Sequence, residues 1–149
     1  MASILLIFAS CGGNTEIASE KVAEVLTTQG HEVTLKRAEC ATGSDFEAFP
    51  VVILASPTYG EGLLEPHMLS FVNKARGHAS LAGKKCTSIG LGDAKYFPYY
   101  MAESAVILEE VIQEFGGEII APSLHINKSP VPQLGGSITR WAEQLAAAL

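Results

Sequence analysis

Cationic side chains are scarce in this chain. Ten lysines and arginines stand against sixteen aspartates and glutamates, a formal net charge of −6 over 149 residues. Nothing there would attract a phosphate backbone, so the composition argues against nucleic acid as a partner and for docking onto a basic protein face. Cysteine is sparse too: Cys11, Cys40 and Cys86 are odd in number and far apart. That excludes a disulfide framework and points to free thiols in a reducing cytoplasm. No apolar run is long enough to span a bilayer, and Met1-Ala2-Ser3 leads into a strand without a basic segment or cleavage site. Neither membrane insertion nor export is expected. Repeats, low-complexity tracts and linkers are also missing. What remains is 48% hydrophobic and 17% charged, the composition of a compact chain, and one domain over residues 1–149 is expected.

Short apolar runs alternate with amphipathic stretches throughout. Strands are expected at Ser3–Ala9, His31–Lys36, Val51–Ala55, Lys84–Leu91 and Glu118–Ile126. Helices are expected at Asn14–Gln29, from Pro66 or His67 to Arg76, at Ala102–Phe115 and at Gly136–Leu149. Ile17, Ala18, Val22, Val25 and Leu26 recur at helical spacing in the first, and Ile138, Trp141, Leu145 and Leu149 in the last. Gly30 and Gly116-Gly117 close two of them, and Pro66 suits a first turn. The second strand alternates, as an edge strand does; the third is wholly apolar and therefore central. Ala38–Ala48 reads as a polar connector with one short turn at Asp45–Ala48. The alternation of strand and helix gives an α/β fold: a doubly wound, five-stranded parallel sheet of order 2-1-3-4-5 with helices on both faces. Ligands then bind beyond the carboxyl ends of the strands, between strands one and three. Three loops converge there: Ser10–Thr15, Ser56–Glu65 and Gly92–Tyr100.

The first loop, Ser10-Cys11-Gly12-Gly13-Asn14-Thr15, joins a buried strand to a helix N-terminus. Its backbone N–H groups face one small volume, the helix dipole adds positive potential, and Ser10, Asn14 and Thr15 add side-chain donors. That is a phosphate site built from neutral donors, since the loop holds no Lys or Arg. Tyr59 on the second loop and Tyr96 on the third can offer opposed flat faces to a planar aromatic ligand with a phosphate tail. Such ring contacts add about 0.5–1.5 kcal/mol each beyond area burial.

Other readings of the same residues are weaker. Cys11 at a helix N-terminus could be a thiolate nucleophile, as in low-molecular-weight tyrosine phosphatases; those need an arginine six residues on, where this chain has Ile17. A phosphoacceptor receiver shares the topology but needs acidic residues where Ala9-Ser10 and Ala55-Ser56 stand. A dinucleotide fold would want Gly-x-Gly-x-x-Gly in the first loop. Asp93 is read as a turn residue rather than a general acid, and the cluster at Tyr96–Tyr100 as ring-stacking rather than core or partner surface. Cys40 is assigned to a surface connector and Cys86 to the core. His31, His67, His78 and His125 have no metal-like spacing. Glu61 and Glu65 form either a solvated face or a docking surface for a basic partner.

Three motifs together carry a resemblance that spans the chain. Gly13-Asn14-Thr15-Glu16 matches the end of a phosphate loop of the form Thr/Ser-x-Thr/Ser-Gly-x-Thr. Pro57-Thr58-Tyr59-Gly60 is similar to an inner stacking loop, and Gly92-Asp93-x-x-Tyr96 to an outer one. On these motifs the sequence resembles the short-chain flavodoxins. Gly12 departs from the loop pattern, standing at the third position where a hydroxyl is usual, with Cys11 at the second position, and each lost neutral hydrogen bond is worth about 0.5–1.5 kcal/mol.

The resemblance implies a low-potential one-electron carrier, not an enzyme, using non-covalent FMN and shuttling electrons from a reductase to acceptor proteins. It implies that Ser10, Cys11, Gly12, Gly13, Asn14, Thr15 and Thr58 hold the phosphate, and that Tyr59 and Tyr96 stack on the ring. It implies that Leu91, Gly92 and Asp93, with Tyr99 and Tyr100, read the pyrimidine edge. The peptide after Gly60 would turn its carbonyl toward the flavin N5–H after the first electron, and glycine eases that turn. A cofactor near Glu61, Glu65 and Asp93, with no cation in its phosphate loop, should resist a second electron. A cytoplasmic monomer is expected. A pathway-dedicated accessory protein and a flavin-free binding module on the same fold are the alternatives.

Overall fold

The computed structural model describes residues 1–60, 62–92 and 103–149. Its core is one sheet. Strand β1 (Ser3–Phe8) lies between β2 (Glu32–Arg37) and β3 (Val51–Tyr59), and β5 (Lys85–Gly92) adds to the far side of β3. Both β6 (Glu118–Ile119) and β7 (Leu124–Asn127) pair with β5, and all of these pairings are parallel. A short strand β4 (Leu63–Leu64) folds back antiparallel on the end of β3, with Tyr59 opposite Leu63. Leaving out the short β4 and counting β6 and β7 as one interrupted strand, the five parallel strands follow the expected order 2-1-3-4-5.

Side-chain alternation along the strands separates two cores. Ile4, Leu6 and Phe8 face one side with Val51, Ile53 and Ala55; there they meet α1 (Asn14–Thr28) and α4 (Thr139–Ala148). Leu5, Ile7 and Ala9 face the other with Val52 and Leu54, against α2 (Pro66–Ala75) and α3 (Glu103–Glu114). Burial on both faces is why β1 reads as an unbroken apolar run. The helices carry the matching stripes: Ala18, Val22 and Leu26 on α1, and Met68, Val72 and Ala75 on α2. As expected, Cys86 is buried and Cys40 exposed.

Four boundaries differ from expectation, each for a local reason. The fifth strand is broken, not continuous over 118–126. Pro122 has no N–H to give a ladder, and the β5 side chains take over: Thr87 Oγ1 donates to the Ala121 carbonyl (3.1 Å) and Ser88 Oγ meets Ser123 Oγ (2.6 Å). The last helix begins regularly at Thr139 rather than Gly136, because Gly136 is non-helical (φ −113°, ψ −106°). The third strand runs on past Ala55 to Tyr59, drawn out by its pairings with β4 and with Gly90 and Leu91 of β5. The connector 38–48 forms two short 3-10 turns, the second closed by a capping box between Thr42 and Asp45.

That connector is not simply polar. Phe46 is fully buried, edge-on to Phe71 (centroids 5.8 Å apart) and tilted against Phe115 (6.4 Å). It plugs the end of the α2/α3 core. Replacing Phe46 with Ala should therefore cost about 3–5 kcal/mol, which urea denaturation would register as a lower midpoint with little change in slope.

Candidate functional site

The carboxyl ends of β1, β3, β5 and β7 open into a cavity of about 320 Å3, lined by Cys11, Asn14, Thr15, Pro57, Thr58, Leu91, Gly92, Lys128 and Ser129. The expected loops meet here as far as they are described. Asp93, Tyr96, Tyr99, Tyr100 and Glu61 lie outside the described residues.

The first loop has the backbone that an anion needs. Gly12 (φ 82°) and Gly13 (φ 89°) both sit in the left-handed region with open space where a Cβ would stand. Gly13 is the N-cap of α1 and supplies no side-chain cap. The first N–H groups of the helix are thus left for an outside acceptor, at the positive end of its dipole. Two hydroxyls wait in the same condition: Ser10 Oγ and Thr15 Oγ1 are buried without any partner. A buried polar group without a hydrogen bond costs about 1–3 kcal/mol, and Thr15 lines the cavity, where a phosphate would meet its hydroxyl. Ser10 opens the loop, and Ser19 Oγ is a third such atom, one turn further along α1. The nearby cation Arg37 is committed elsewhere. It pairs with Glu16 (2.7 Å), reaches Glu39 (3.9 Å) and lies 5.3 Å over the Phe8 ring.

The second loop is held rigidly at both ends. Ser56 Oγ accepts from the Glu65 N–H (3.1 Å) and donates to the Pro57 carbonyl (2.8 Å). Thr58 lines the cavity, but its hydroxyl is engaged by Ser104 in the first described turn of α3. It donates to Ser104 Oγ (3.1 Å) and accepts from Ser104 N–H (3.2 Å), while Ser104 Oγ donates to the Ser56 carbonyl (2.7 Å). A phosphate contact from Thr58 would need its proton to leave Ser104. Glu65, expected on a solvated or docking face, is instead 3% exposed. Its carboxylate caps α2 by accepting from the N–H groups of His67 (2.8 Å) and Met68 (3.2 Å) and meets the His67 ring (2.8 Å).

Tyr59 ends β3 half-buried, and Gly60 turns the chain at φ 51°. The Tyr59 phenol is influenced by Cys11 of the phosphate loop. Interaction with Cys11 first, then burial, then the charges of Cys11 and Glu65 push the phenol up to about 12. Cys11 is exposed.

Sequence reading missed the fourth wall. Lys128 and Ser129 close the cavity from the end of β7. The signal was present, since they follow a strand at its carboxyl end, where such sheets place ligand loops. Pro57 was read as part of a motif but given no role, and Ser104 gave no sign.

The flavodoxin family model matches residues 6–141. The chain belongs to the flavodoxin family. It is 30% identical to the probable flavodoxin 2 of Bacillus subtilis (strain 168), covering 98% of this chain and 95% of that one. It is 31% identical to a flavodoxin of Maridesulfovibrio salexigens, covering 98% of each. Among solved structures, the oxidised flavodoxin 2 of Bacillus cereus superposes with a TM-score of 0.86 at 31% identity, covering 99% of this chain and 97% of that one. Flavodoxins are FMN-based electron carriers rather than enzymes, and the open loop with its orphaned hydroxyls suits that cofactor's phosphate. Among the described residues no helix is long and apolar enough to cross a membrane.

The Tyr59–Cys11 pairing has a spectroscopic consequence. In an ultraviolet titration of the four tyrosines, one should ionise late, near 12. Cys11→Ala should return it toward the ordinary tyrosine value near 10. Since the fold favours the neutral phenol, its contribution to stability is in place below pH ~10 and is lost as pH rises through ~12.

Proposed function

We propose that this flavodoxin is a low-potential shuttle that takes one electron at a time from a reductase and passes it to acceptor proteins with basic docking faces. It works as a cytoplasmic monomer, with residues 1–149 as one domain. The two buried, partnerless hydroxyls of Ser10 and Thr15, beside the uncapped end of α1, carry this reading. Backbone N–H groups from Ser10 through Cys11, Gly12 and Gly13 to Asn14 and Thr15 bind the phosphate, with Thr58 at its edge. Tyr59 stacks on the inner face of the ring and Tyr96 on the outer. Leu91, Gly92 and Asp93 read the pyrimidine edge with backbone atoms, joined by Tyr99 and Tyr100. The bound isoalloxazine supplies the one-electron chemistry.

The protein's part is to control charge and water around that ring. Gly60 is exposed and left-handed, and among the described residues only Leu63 Cδ1 (3.9 Å) would lie near an added Cβ; glycine lowers the steric cost of turning its peptide. With FMN bound, a carbonyl turned that way would be placed to accept a hydrogen bond from the ring. The Glu65 carboxylate is close enough to raise the Tyr59 phenol. Negative charge near Tyr59 would disfavour further negative charge on a bound ring. The net charge of −6 suits docking onto a basic surface.

The deciding experiment is a visible absorption spectrum before and after adding FMN, followed by stepwise reduction. A flavin spectrum and two resolved one-electron steps, the second at low potential, are expected. Absence of FMN uptake, or one two-electron step, contradicts the reading. Tyr59→Ala should weaken FMN binding by roughly three- to tenfold, the loss of one stacked ring contact, and narrow the gap between the two steps.

A further inference from the structure

The phosphate loop holds no lysine or arginine, yet a cation stands across the cavity from it. We propose that Lys128 supplies the positive charge that the phosphate loop lacks, and is a specificity residue for the phosphorylated flavin. This rests on reading the cavity as the FMN site.

Lys128 shares the cavity wall with Cys11, Asn14 and Thr15 of the loop. The two come together because α1 and α4 cover the same face of the sheet, so the segment leaving β7 returns past the start of α1. Its backbone is unusual. At φ 65° it is the only non-glycine among the described residues in the left-handed region. Glycine would sit there without strain, so a lysine there is held against its own preference by its surroundings. The surroundings are well defined. The Lys128 N–H donates to the Gly92 carbonyl (2.7 Å), carrying the β5–β7 pairing one residue past Asn127. The Gln133 side-chain amide donates to the Asn127 carbonyl (2.8 Å) and the Ser129 carbonyl (3.0 Å), clamping the chain on both sides of Lys128.

The clamp fixes the backbone and leaves the charge available. Among the described residues the Lys128 ammonium has no carboxylate partner, whereas Arg37, near the same loop, is neutralised by Glu16 and Glu39. A flavin phosphate carries nearly two negative charges at neutral pH. N–H donors and hydroxyls fix where the phosphate sits; one ammonium adds a charge-assisted contact that riboflavin, lacking phosphate, cannot use. A strained residue on a ligand-side loop is where such a role is expected.

The test compares FMN and riboflavin binding to the apoprotein by quenching of flavin fluorescence. K128Q removes the charge, K128G removes the charge and the strain together, and K128R restores the charge. Both K128Q and K128G should bind FMN roughly tenfold or more weakly, with riboflavin unchanged and K128R close to native. The gap between native and K128Q should shrink in high salt and again as pH falls below about 6, where the phosphate gains a proton. Equal FMN affinity in native and K128Q overturns the proposal, as does native affinity in K128G. Parallel loss of FMN and riboflavin also overturns it, because that marks Lys128 as a purely structural residue. A native chain that takes up no FMN overturns the FMN reading itself, a result distinct from all of these.

Discussion

Helix α1 starts at a glycine in the left-handed conformation, with no side chain to cap it, and the last turn before it is another left-handed glycine. Its first N–H groups therefore remain open at the carboxyl end of the sheet, where β1 delivers the chain. Most of the architecture serves that placement. β1 is buried on both faces between β2 and β3, so its end cannot shift. Ala9 N–H bonds the Ala55 carbonyl (3.0 Å), locking the loop's root to the neighbouring strand. The Arg37–Glu16 pair then removes the one carboxylate in the helix's first turn that would compete with an incoming anion.

Around that fixed point the other loops are held by polar side chains rather than by packing. Ser56, Thr58 and Ser104 form one connected set between β3 and α3, and Glu65 closes the same loop by capping α2. Each of these groups is satisfied within the protein. Among the described residues, the buried side-chain atoms left without a partner belong to Ser10, Thr15 and Ser19, all along one short path from the loop into α1. Within those residues, unmet hydrogen-bonding capacity is concentrated at a single place, which is how a ligand-shaped gap differs from imperfect packing.

The strand order, both cores and the phosphate loop were legible in the sequence because they follow simple periods. Unbroken apolar runs mark strands buried on both faces, Ala18, Val22 and Leu26 mark a helical stripe, and Gly12-Gly13 between the two marks the turn. What was not legible depends on partners distant in sequence. Phe46 is a lone aromatic in a polar connector, and only Phe71 and Phe115 make it core. Glu65 reads as solvated until α2 places its own N–H groups over the carboxylate. Lys128 sits thirteen residues before Trp141 in a stretch with no period at all, and it joins the site only because α4 shares a face with α1. The break at Pro122 was hidden because Leu124 and Ile126 resume the alternation beyond it.

That break also bears on how the molecule coexists with copies of itself. An open parallel sheet ends in two rows of unpaired backbone groups, and either row can recruit a strand from a neighbour. On one side, β2 sets Glu32, Lys36 and Arg37 along its length, so a second chain would have to bury charge to pair there. On the other, the row is cut into two- and four-residue pieces by a bulge that turns 120–123 back onto Thr87, Ser88 and Trp141. Trp141 Nε1 holds the Pro122 carbonyl at 2.8 Å, taking up an acceptor on the same margin. One margin is charged and the other interrupted, so a carrier that must touch other proteins repeatedly is built to avoid joining them edge to edge.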